Sequence, residues 1–281
     1  MRRTAAPALI VCAAFLFGCA DDGGATRDGG APDAGIGLRS AGCGLSNALP
    51  VNAWVARTVD IGGSTRQYSV WLPGGYDPER AYPIVYQFHG CSELKDGVSN
   101  NPPVQEHSGA DAILVRGRAL EDCWDTAADG PDVPLFDAMV REVEAALCAD
   151  RARRFATGYS SGSFMAHRLG CVRGEMLRGV ATIAGGQADT ACVGKVAALL
   201  IHDEEDSVVA LSASEEARDT HLARNGCDAT APRTPTDFPP CESYAGCDPD
   251  TPVVWCQTSG LDHSRQDHLS APAFWDFLSR L

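Results

Sequence analysis

The sequence predicts an α/β fold in which a mostly parallel, doubly wound sheet is covered by helices on both faces. Short, nearly continuous apolar runs, typical of buried strands, alternate with stretches that repeat apolar residues at helical spacing. The 281 residues are 44% hydrophobic and 21% charged, which is enough for one large hydrophobic core. A third observation is a glycine-flanked serine pair between one such run and one such stretch.

The predicted elements begin at Trp54. The runs WVARTVDI and RQYSVWL, separated by GGST, predict an opening β-hairpin. Further strands are predicted at YPIVYQF (82–88), AILV (112–115), RRFATG (153–158), GVATIAG (179–185), VAALLIH (196–202) and PVVWCQ (252–257). Asp132 and Pro134 are start signals for a helix with one apolar face, formed by Leu135, Met139, Val143 and Leu147. A second helix is predicted from the spacing of Met165, Leu169, Val172 and Met176.

The first 42 residues predict export and a tether. Residues 1–19 combine a basic start with an apolar stretch too short to span a bilayer. The last four, LFGC, resemble a bacterial lipobox, which implies lipidation at Cys19; a plain secretory signal is the alternative. Residues 20–42 are rich in Gly, Ala and Asp and predict a flexible tether to a body at 43–281. We expect a cell-surface lipoprotein or a secreted protein.

The net charge of −14 argues against nucleic acid and anionic membrane surfaces as partners, because both need clustered Lys and Arg. We therefore expect membrane contact only through an N-terminal lipid, and a monomer.

Beyond Cys12 and Cys19 the chain has ten cysteines, an even set that predicts disulfides in an oxidising compartment. No pair of CxxC motifs favours a metal site.

The motif Gly158-Tyr159-Ser160-Ser161-Gly162 follows a predicted strand and precedes a predicted helix. A serine on a sharp strand-to-helix turn needs small neighbours, because backbone segments approach closely there. The helix N-terminus also offers free N–H groups to an oxyanion. Ser160 is therefore the candidate nucleophile, and a packed strand–helix joint is the alternative.

A serine nucleophile needs a base, and the base needs an acid that orients it. The strand VAALLIH is followed by four candidate acids: Asp203, Glu204, Glu205 and Asp206. The last strand is followed by His263 and His268, of which His263 is nearer to the strand end and is the preferred base. The remaining histidines, including His107, His167 and His221, are expected to be structural.

The second oxyanion donor is expected after the strand YPIVYQF, where His89-Gly90-Cys91 places flexible backbone beside the nucleophile. The amides of Cys91 and Ser161 are the two candidates. His89 is also a tentative substrate contact, with capping of a core strand as the alternative.

The segments YDPERAYPIVYQFHGC, DCW, GYSSG, IHDEEDSVV, NGC, CESYAGCDPDTPVVWC and FWDFLSRL resemble one group of α/β-hydrolases. The group comprises secreted feruloyl esterases, acetyl xylan esterases and polyhydroxybutyrate depolymerases, and the likeness covers about 54–281. It implies an α/β-hydrolase fold, no metal or cofactor, and a Ser160–His263–Asp206 triad, since the family acid lies four positions after a strand-end His.

The chain departs from the family pattern at four places. Asp203 stands where Gly is usual, Asp262 replaces a Gly before the base, the Pro after the base is missing, and one of two tryptophans remains as Trp124. Trp124 is a tentative substrate contact; alternatively it fills the core beside a disulfide. The favoured disulfide is Cys91–Cys123, followed by Cys241–Cys247 and Cys227–Cys256.

Only about ten residues lie between ATIAGG and KVAALL, which leaves no room for a lid domain and predicts an open site. The resemblance implies an exported serine esterase that acts on feruloyl or acetyl groups of xylan through an acyl-enzyme. The alternatives are a polyhydroxybutyrate depolymerase and a non-catalytic carbohydrate-binding lipoprotein.

Overall fold

The fold is that of a computed structural model, which describes Met1 and residues 38–91 and 101–281. The predicted signal segment 1–19, the lipidation site Cys19 and most of the predicted tether 20–42 lie outside the described residues. No helix of the described residues is long and apolar enough to cross a membrane.

Ten strands and five helices are present in the described part of the chain. The strands are β1 (Trp54–Ile61), β2 (Ser64–Trp71), β3 (Tyr82–Phe88), β4 (Ile113–Gly117), β5 (Ala149–Tyr159), β6 (Gly179–Ile183), β7 (Ala197–Asp203), β8 (Thr234–Pro235), β9 (Cys241–Ser243) and β10 (Val253–Thr258). The helices are α1 (Gln105–Ser108), α2 (Val133–Ala146), α3 (Ser161–Val172), α4 (Leu211–Asn225) and α5 (Asp267–Ser279).

The strands form one sheet in the order β1-β2-β4-β3-β5-β6-β7-β10-β9-β8. The six central strands from β4 to β10 run parallel, whereas the pairs β1–β2 and β9–β8 are antiparallel edges. The carboxyl ends of β5, β7 and β10 therefore meet at one edge of the sheet. The mostly parallel sheet predicted from the sequence is confirmed.

The opening hairpin has a tighter turn than the four-residue GGST link predicted from the sequence. Ile61 pairs directly with Ser64, so only Gly62 and Gly63 form the turn. Both glycines have positive φ, 58° and 87°. Two-residue hairpin turns of this kind need that conformation, which residues with a Cβ rarely adopt.

Two apolar cores lie on opposite faces of the sheet. One contains side chains of α2, α3 and α4, and the other contains Val104, just before α1, and side chains of α5. The predicted apolar face of α2 is fully buried at Leu135, Met139, Val143 and Leu147. Strands β6 and β7 are joined only by residues 184–196, and no separate domain occurs in the ranges 38–91 and 101–281.

The packed body begins earlier than the predicted boundary at residue 43. Ser40 is buried, and its hydroxyl donates to the Leu147 carbonyl over 2.6 Å. A Cβ at Gly42 would lie 2.2 Å from the Leu147 amide nitrogen. The disulfide Cys43–Cys148 then fixes this segment beside the start of β5. Composition alone suggested a tether because small residues suit both flexible linkers and close packing.

Ten cysteines form five disulfides in the described residues, as the even count predicted: Cys43–Cys148, Cys91–Cys123, Cys171–Cys192, Cys227–Cys247 and Cys241–Cys256. The favoured pair Cys91–Cys123 is confirmed, but the pairings Cys241–Cys247 and Cys227–Cys256 are wrong. Cys241 lies directly opposite Cys256 in the β9–β10 ladder. The ladder ends before Cys247, which instead lies against the end of α4 at Cys227. Strand β9 is too short to be recognised from sequence, so the sequence does not reveal that Cys241 lies opposite Cys256.

His167 of α3 and His221 of α4 form a buried pair between helices and sheet. Nδ1 of His167 lies 3.1 Å from Nε2 of His221, and its other ring nitrogen lies 3.1 Å from the Thr182 hydroxyl. Burial lowers the pKa of His167 to about 3 and holds that of His221 well below its usual range. Both rings are therefore neutral and structural, as expected from the sequence.

We predict that this pair makes the fold less stable in mild acid. The unfolded chain protonates these rings near pH 6.5 while the folded chain does not, so the free energy of unfolding falls as the pH drops below that value. Between pH 7.5 and 5.0 an imidazole that stays neutral in the fold costs about 2 kcal/mol. Urea unfolding of His167→Gln should lose about this much of the wild-type pH dependence. The exposed control His107→Gln should lose none, and equal pH dependence in both variants would refute the assignment.

Candidate active site

Ser160 lies on a strained turn between β5 and α3. It has φ 53° and ψ −121°, a conformation that non-glycine residues rarely adopt. Its amide donates to the Ile183 carbonyl over 3.0 Å, which ties the turn to the neighbouring strand. The side chain stands at the carboxyl edge of the sheet, at the N-terminus of α3. This is the nucleophile geometry that the glycine-flanked motif predicts.

The glycines on both sides of Ser160 are required by close backbone contacts. A Cβ at Gly158 would lie 2.0 Å from the Gly162 carbonyl oxygen, and a Cβ at Gly162 would lie 1.8 Å from the Phe88 carbonyl oxygen. No side chain fits in either space. The second contact brings the first turn of α3 against the end of β3, where His89, Gly90 and Cys91 follow.

Ser160, His263 and Asp206 form one chain of hydrogen bonds. Nε2 of His263 lies 2.9 Å from the Ser160 hydroxyl, and Nδ1 lies 2.8 Å and 3.1 Å from the two Asp206 oxygens. A carboxylate can only accept, so Nδ1 carries the ring proton and Nε2 accepts from the Ser160 hydroxyl. The Asp206 side chain is fully buried and that of His263 is 14% exposed. The structure brings together the three residues that the sequence and the resemblance single out.

A second imidazole, that of His202, also contacts Asp206. Nε2 of the buried His202 faces two acceptors, the Val209 carbonyl at 3.0 Å and Asp206 Oδ2 at 3.3 Å. This nitrogen must therefore carry a proton. Burial lowers the pKa of His202, and its Nδ1 lies 2.5 Å from the Ser214 hydroxyl, which also donates to the Gly185 carbonyl over 2.9 Å. His202 and the amides of Val208 and Val209, at 2.9 Å and 2.8 Å, fix the Asp206 carboxylate.

Two carboxylates tie the acid loop, residues 204–210, to the base loop, residues 259–266. Asp203, at the end of β7, accepts from the Thr258 hydroxyl over 2.8 Å and the Leu261 amide over 3.1 Å. In return, Asp262 of the base loop accepts from both the amide and the hydroxyl of Ser207, each over 2.8 Å. These bonds lower the pKa of Asp262. Asp203 and Asp262 are the two positions where the resemblance leads one to expect glycine, so both departures have a structural role.

Asp206, and not Asp203, contacts the base, because Asp203 is already occupied by the base loop. The other candidate base, His268, is exposed in the first turn of α5, and the described residues show no hydrogen bond from its ring to Ser160 or Asp206. Glu204 and Glu205 are also exposed. Among the candidates that follow β7 and β10, Asp206 and His263 are thus the only acid and base in contact with each other.

The backbone of Ser161 and the loop at Cys91 are positioned by side chains around them. The Ser161 amide belongs to the first turn of α3, and no acceptor for it occurs among the described residues. Its hydroxyl accepts from the Trp124 amide at 2.9 Å. The disulfide to Cys123 holds Cys91 in the same place. Ser161 and Cys91 remain the candidate oxyanion donors.

His89 and Trp124 support this loop from within and do not face the solvent. Only 1% of His89 and 5% of Trp124 are exposed. The Trp124 indole N–H donates to the His89 carbonyl over 2.8 Å, and the His89 ring bonds the Gly90 carbonyl at 2.6 Å and the Ala119 amide at 3.2 Å. The expectation that either side chain contacts substrate is therefore corrected to the alternative, a role in the core.

A buried ion pair supports the segment that carries Trp124. Arg66 and Asp132 are paired at 4% and 1% side-chain exposure. Asp132 also accepts from the amides of Leu120 at 3.2 Å and Asp125 at 2.8 Å. The sequence suggested Asp132 as the start of α2. It does precede the helix, but its side chain makes no capping bond there. The carboxylate instead organises the loop beside the nucleophile.

Sequence reasoning used His202 only to locate the acid and missed its contact with Asp206, and it also missed Ser207 and the bonding role of Asp262. A signal for His202 was present, since a polar residue at the end of an apolar strand lies four positions before the acid. Ser207 carries no such signal, because its importance arises only when two loops distant in sequence meet.

We predict that the Asp262–Ser207 contact is needed for the correct placement of His263. Asp262 has φ 50°, so glycine suits the backbone and Asp262→Gly removes only the carboxylate. We expect a roughly tenfold loss of kcat/KM on a small ester, since slight misplacement of a base is costly. Asp262→Asn keeps an acceptor oxygen and should stay within about threefold of wild type. Equal losses in the two variants would show that charge, and not the contact, matters; thermal unfolding checks that both fold.

No family model matches the chain. It is 33% identical over 205 residues to feruloyl esterase C of Emericella nidulans, which covers 69% of this chain and 72% of the relative. It is 30% identical over 268 residues to feruloyl esterase D of Neurospora crassa, covering 86% and 90%. These relatives favour neither of the alternatives, a polyhydroxybutyrate depolymerase or a non-catalytic binding protein.

Solved structures support the fold. The acetyl xylan esterase of Aspergillus awamori matches with a TM-score of 0.62 at 16% identity, covering 80% of this chain and 99% of that structure. A mutant of the feruloyl esterase module of Clostridium thermocellum, complexed with sinapinate, matches with a TM-score of 0.59 at 16% identity, covering 80% and 86%. The fold is thus that of the α/β-hydrolases, and the five disulfides are those of an extracellular protein. The chain belongs to the feruloyl esterase family and is a carboxylic ester hydrolase.

Proposed function

We propose that this enzyme removes feruloyl or acetyl groups from xylan, with Ser160, His263 and Asp206 as its catalytic residues. The observation that carries the proposal is the hydrogen-bond chain that joins the Ser160 hydroxyl through His263 to the buried Asp206. The substrate class rests on the names of the relatives, which are feruloyl esterases. The predicted absence of a lid fits esters displayed on a polymer.

Acylation begins when Ser160 Oγ attacks the ester carbonyl carbon while its proton passes to Nε2 of His263. Asp206 accepts from Nδ1 and stabilises the imidazolium that forms. The amides of Cys91 and Ser161 donate to the oxyanion of the tetrahedral intermediate. The intermediate collapses, the bond to the sugar oxygen breaks, and His263 returns the proton to that oxygen. The acyl group is then bonded to Ser160.

Deacylation repeats these steps with water as the nucleophile. His263 takes a proton from the water, whose oxygen attacks the acyl carbon, and then returns that proton to Ser160 Oγ. Ferulate or acetate leaves and the enzyme is regenerated. No redox change or external co-reactant is required.

The proposal is tested with feruloylated arabinoxylan and acetylated xylan, with released ferulate and acetate measured by chromatography. Ser160→Ala and His263→Ala should each lower kcat on methyl ferulate at least roughly a thousandfold, and Asp206→Asn by a similar factor. His268→Ala, which removes the other candidate base, should stay within about threefold. A fluorophosphonate should label the wild type and leave Ser160→Ala unlabelled. Release of neither acid from xylan by a labelled wild type would refute the substrate class.

We further propose that Cys19 is lipidated and holds the mature enzyme at the cell surface. The LFGC segment and the preceding apolar stretch support this. Cells grown with labelled palmitate should incorporate label into the wild type and none into Cys19→Ala, which should appear in the medium. The matched control Cys12→Ala should remain membrane-associated and labelled. Label retained in Cys19→Ala would contradict the assignment.

A further inference from the structure

Two adjoining cavities lie at the carboxyl end of β10, on the side of the base loop that faces the sheet edge. Their volumes are about 490 and 520 Å³, each within the usual range for ligand sites, roughly 300–1,000 Å³. Both are lined by the Pro239–Pro240 turn and by Gln257, Thr258 and Ser259. We call this continuous depression the β10 groove.

The β10 groove is continuous with both loops of the catalytic site. One cavity reaches Glu204, the first residue of the acid loop, and the other reaches Leu261 of the base loop. Gln257 donates to the Glu204 carboxylate over 3.0 Å, which connects the end of β10 to the acid loop. The groove therefore adjoins both loops that carry the candidate acid and base.

The groove combines apolar surfaces with hydroxyl-binding groups. Pro239, Pro240 and Leu261 are exposed, and each presents a flat or rounded apolar surface. Gln257 and Ser259 are also exposed and offer amide and hydroxyl groups beside them. A sugar ring has an apolar C–H face and a polar rim of hydroxyls, so it matches this alternation.

Charge favours a neutral chain over an acidic one. Carboxylates of Glu204, Asp237 and Glu242 line the groove, and the single arginine in its lining, Arg233, is paired with Glu242 at 3.2 Å. Carboxylates accept well from sugar hydroxyls and repel a polyanion.

A disulfide and backbone hydrogen bonds hold the wall of the groove. The Pro239–Pro240 turn is followed by Cys241, whose disulfide to Cys256 fixes it to β10. The Cys241 amide donates to the Phe238 carbonyl over 2.8 Å, and the Thr236 amide donates to the Cys241 carbonyl over 2.9 Å. A preformed surface loses little conformational freedom on binding.

We propose that the β10 groove binds the neutral main chain of xylan next to the ester being cleaved. The proposal rests on the proposed function for its choice of polymer, while its geometry is independent of catalysis. Holding the main chain raises the effective concentration of the ester groups that it carries at Ser160.

The test uses xylan from which all esters have been removed by alkali, so that only main-chain binding is measured. The exported chain with Ser160→Ala is run in native gels containing increasing concentrations of this xylan. We expect retardation of the parent, and an apparent association constant roughly tenfold lower when Ser259→Trp fills the groove. Thr58→Trp, an equally bulky change on the exposed opposite edge strand β1, should bind like the parent.

Gln257→Ala provides a second variant that removes a polar contact without adding bulk, and thermal unfolding verifies that each variant is folded. Absence of retardation of the parent, or equal retardation of Ser259→Trp, Gln257→Ala and Thr58→Trp, would overturn the proposal. Retardation by polygalacturonate as strong as by xylan would overturn the choice of a neutral chain. An enzyme that binds de-esterified xylan in the groove but releases neither ferulate nor acetate refutes the proposed function and leaves the groove intact.

Discussion

The site depends on the close approach of the backbone of α3 to the end of β3. Because Gly162 has no side chain, the helix start can lie against the Phe88 carbonyl, at a distance that excludes even one methyl group. That approach places the first turn of α3 beside the loop at Cys91 and holds Ser160 on its strained turn. The buried core around Trp124 then keeps the loop in place. The candidate nucleophile and the candidate oxyanion donors are therefore positioned by one steric constraint.

The acid and base are positioned by a different device, the mutual exchange of carboxylate bonds between two loops. Asp203, at the end of β7 just before the acid loop, accepts from the base loop, and Asp262 of the base loop accepts from the acid loop. The contact between His263 and Asp206 joins the same two loops. Two loops that are bonded to each other in this way can hold the partly exposed His263 in position without a covering domain. This explains why two charged residues can replace glycines without loss of the site.

Much of the fold and of the candidate site was predictable from the sequence, and the predictions that failed did so for physical reasons. The central strands are continuous apolar runs, and the nucleophile, acid and base each follow such a run, so their convergence follows from the parallel sheet. Strands β8 and β9 have two and three residues and leave no periodic signal, which is why the pairing of Cys241 and Cys227 was wrong. Burial of His89 and Trp124 depends on contacts between distant segments. The packing of Ser40 also depends on contacts between distant segments, because a small residue in a glycine-rich stretch is buried or solvent-exposed according to which segment lies against it.

The Cys43–Cys148 crosslink has a consequence for how such an enzyme meets an insoluble target. It fastens the entering chain at the amino end of β5, whereas Ser160 follows the carboxyl end of the same strand. Eleven extended residues span roughly 35 Å, so the crosslink and the Ser160 hydroxyl lie at opposite ends of β5. Force applied to the chain before Cys43 is therefore transmitted to the end of the strand that does not carry the reactive hydroxyl.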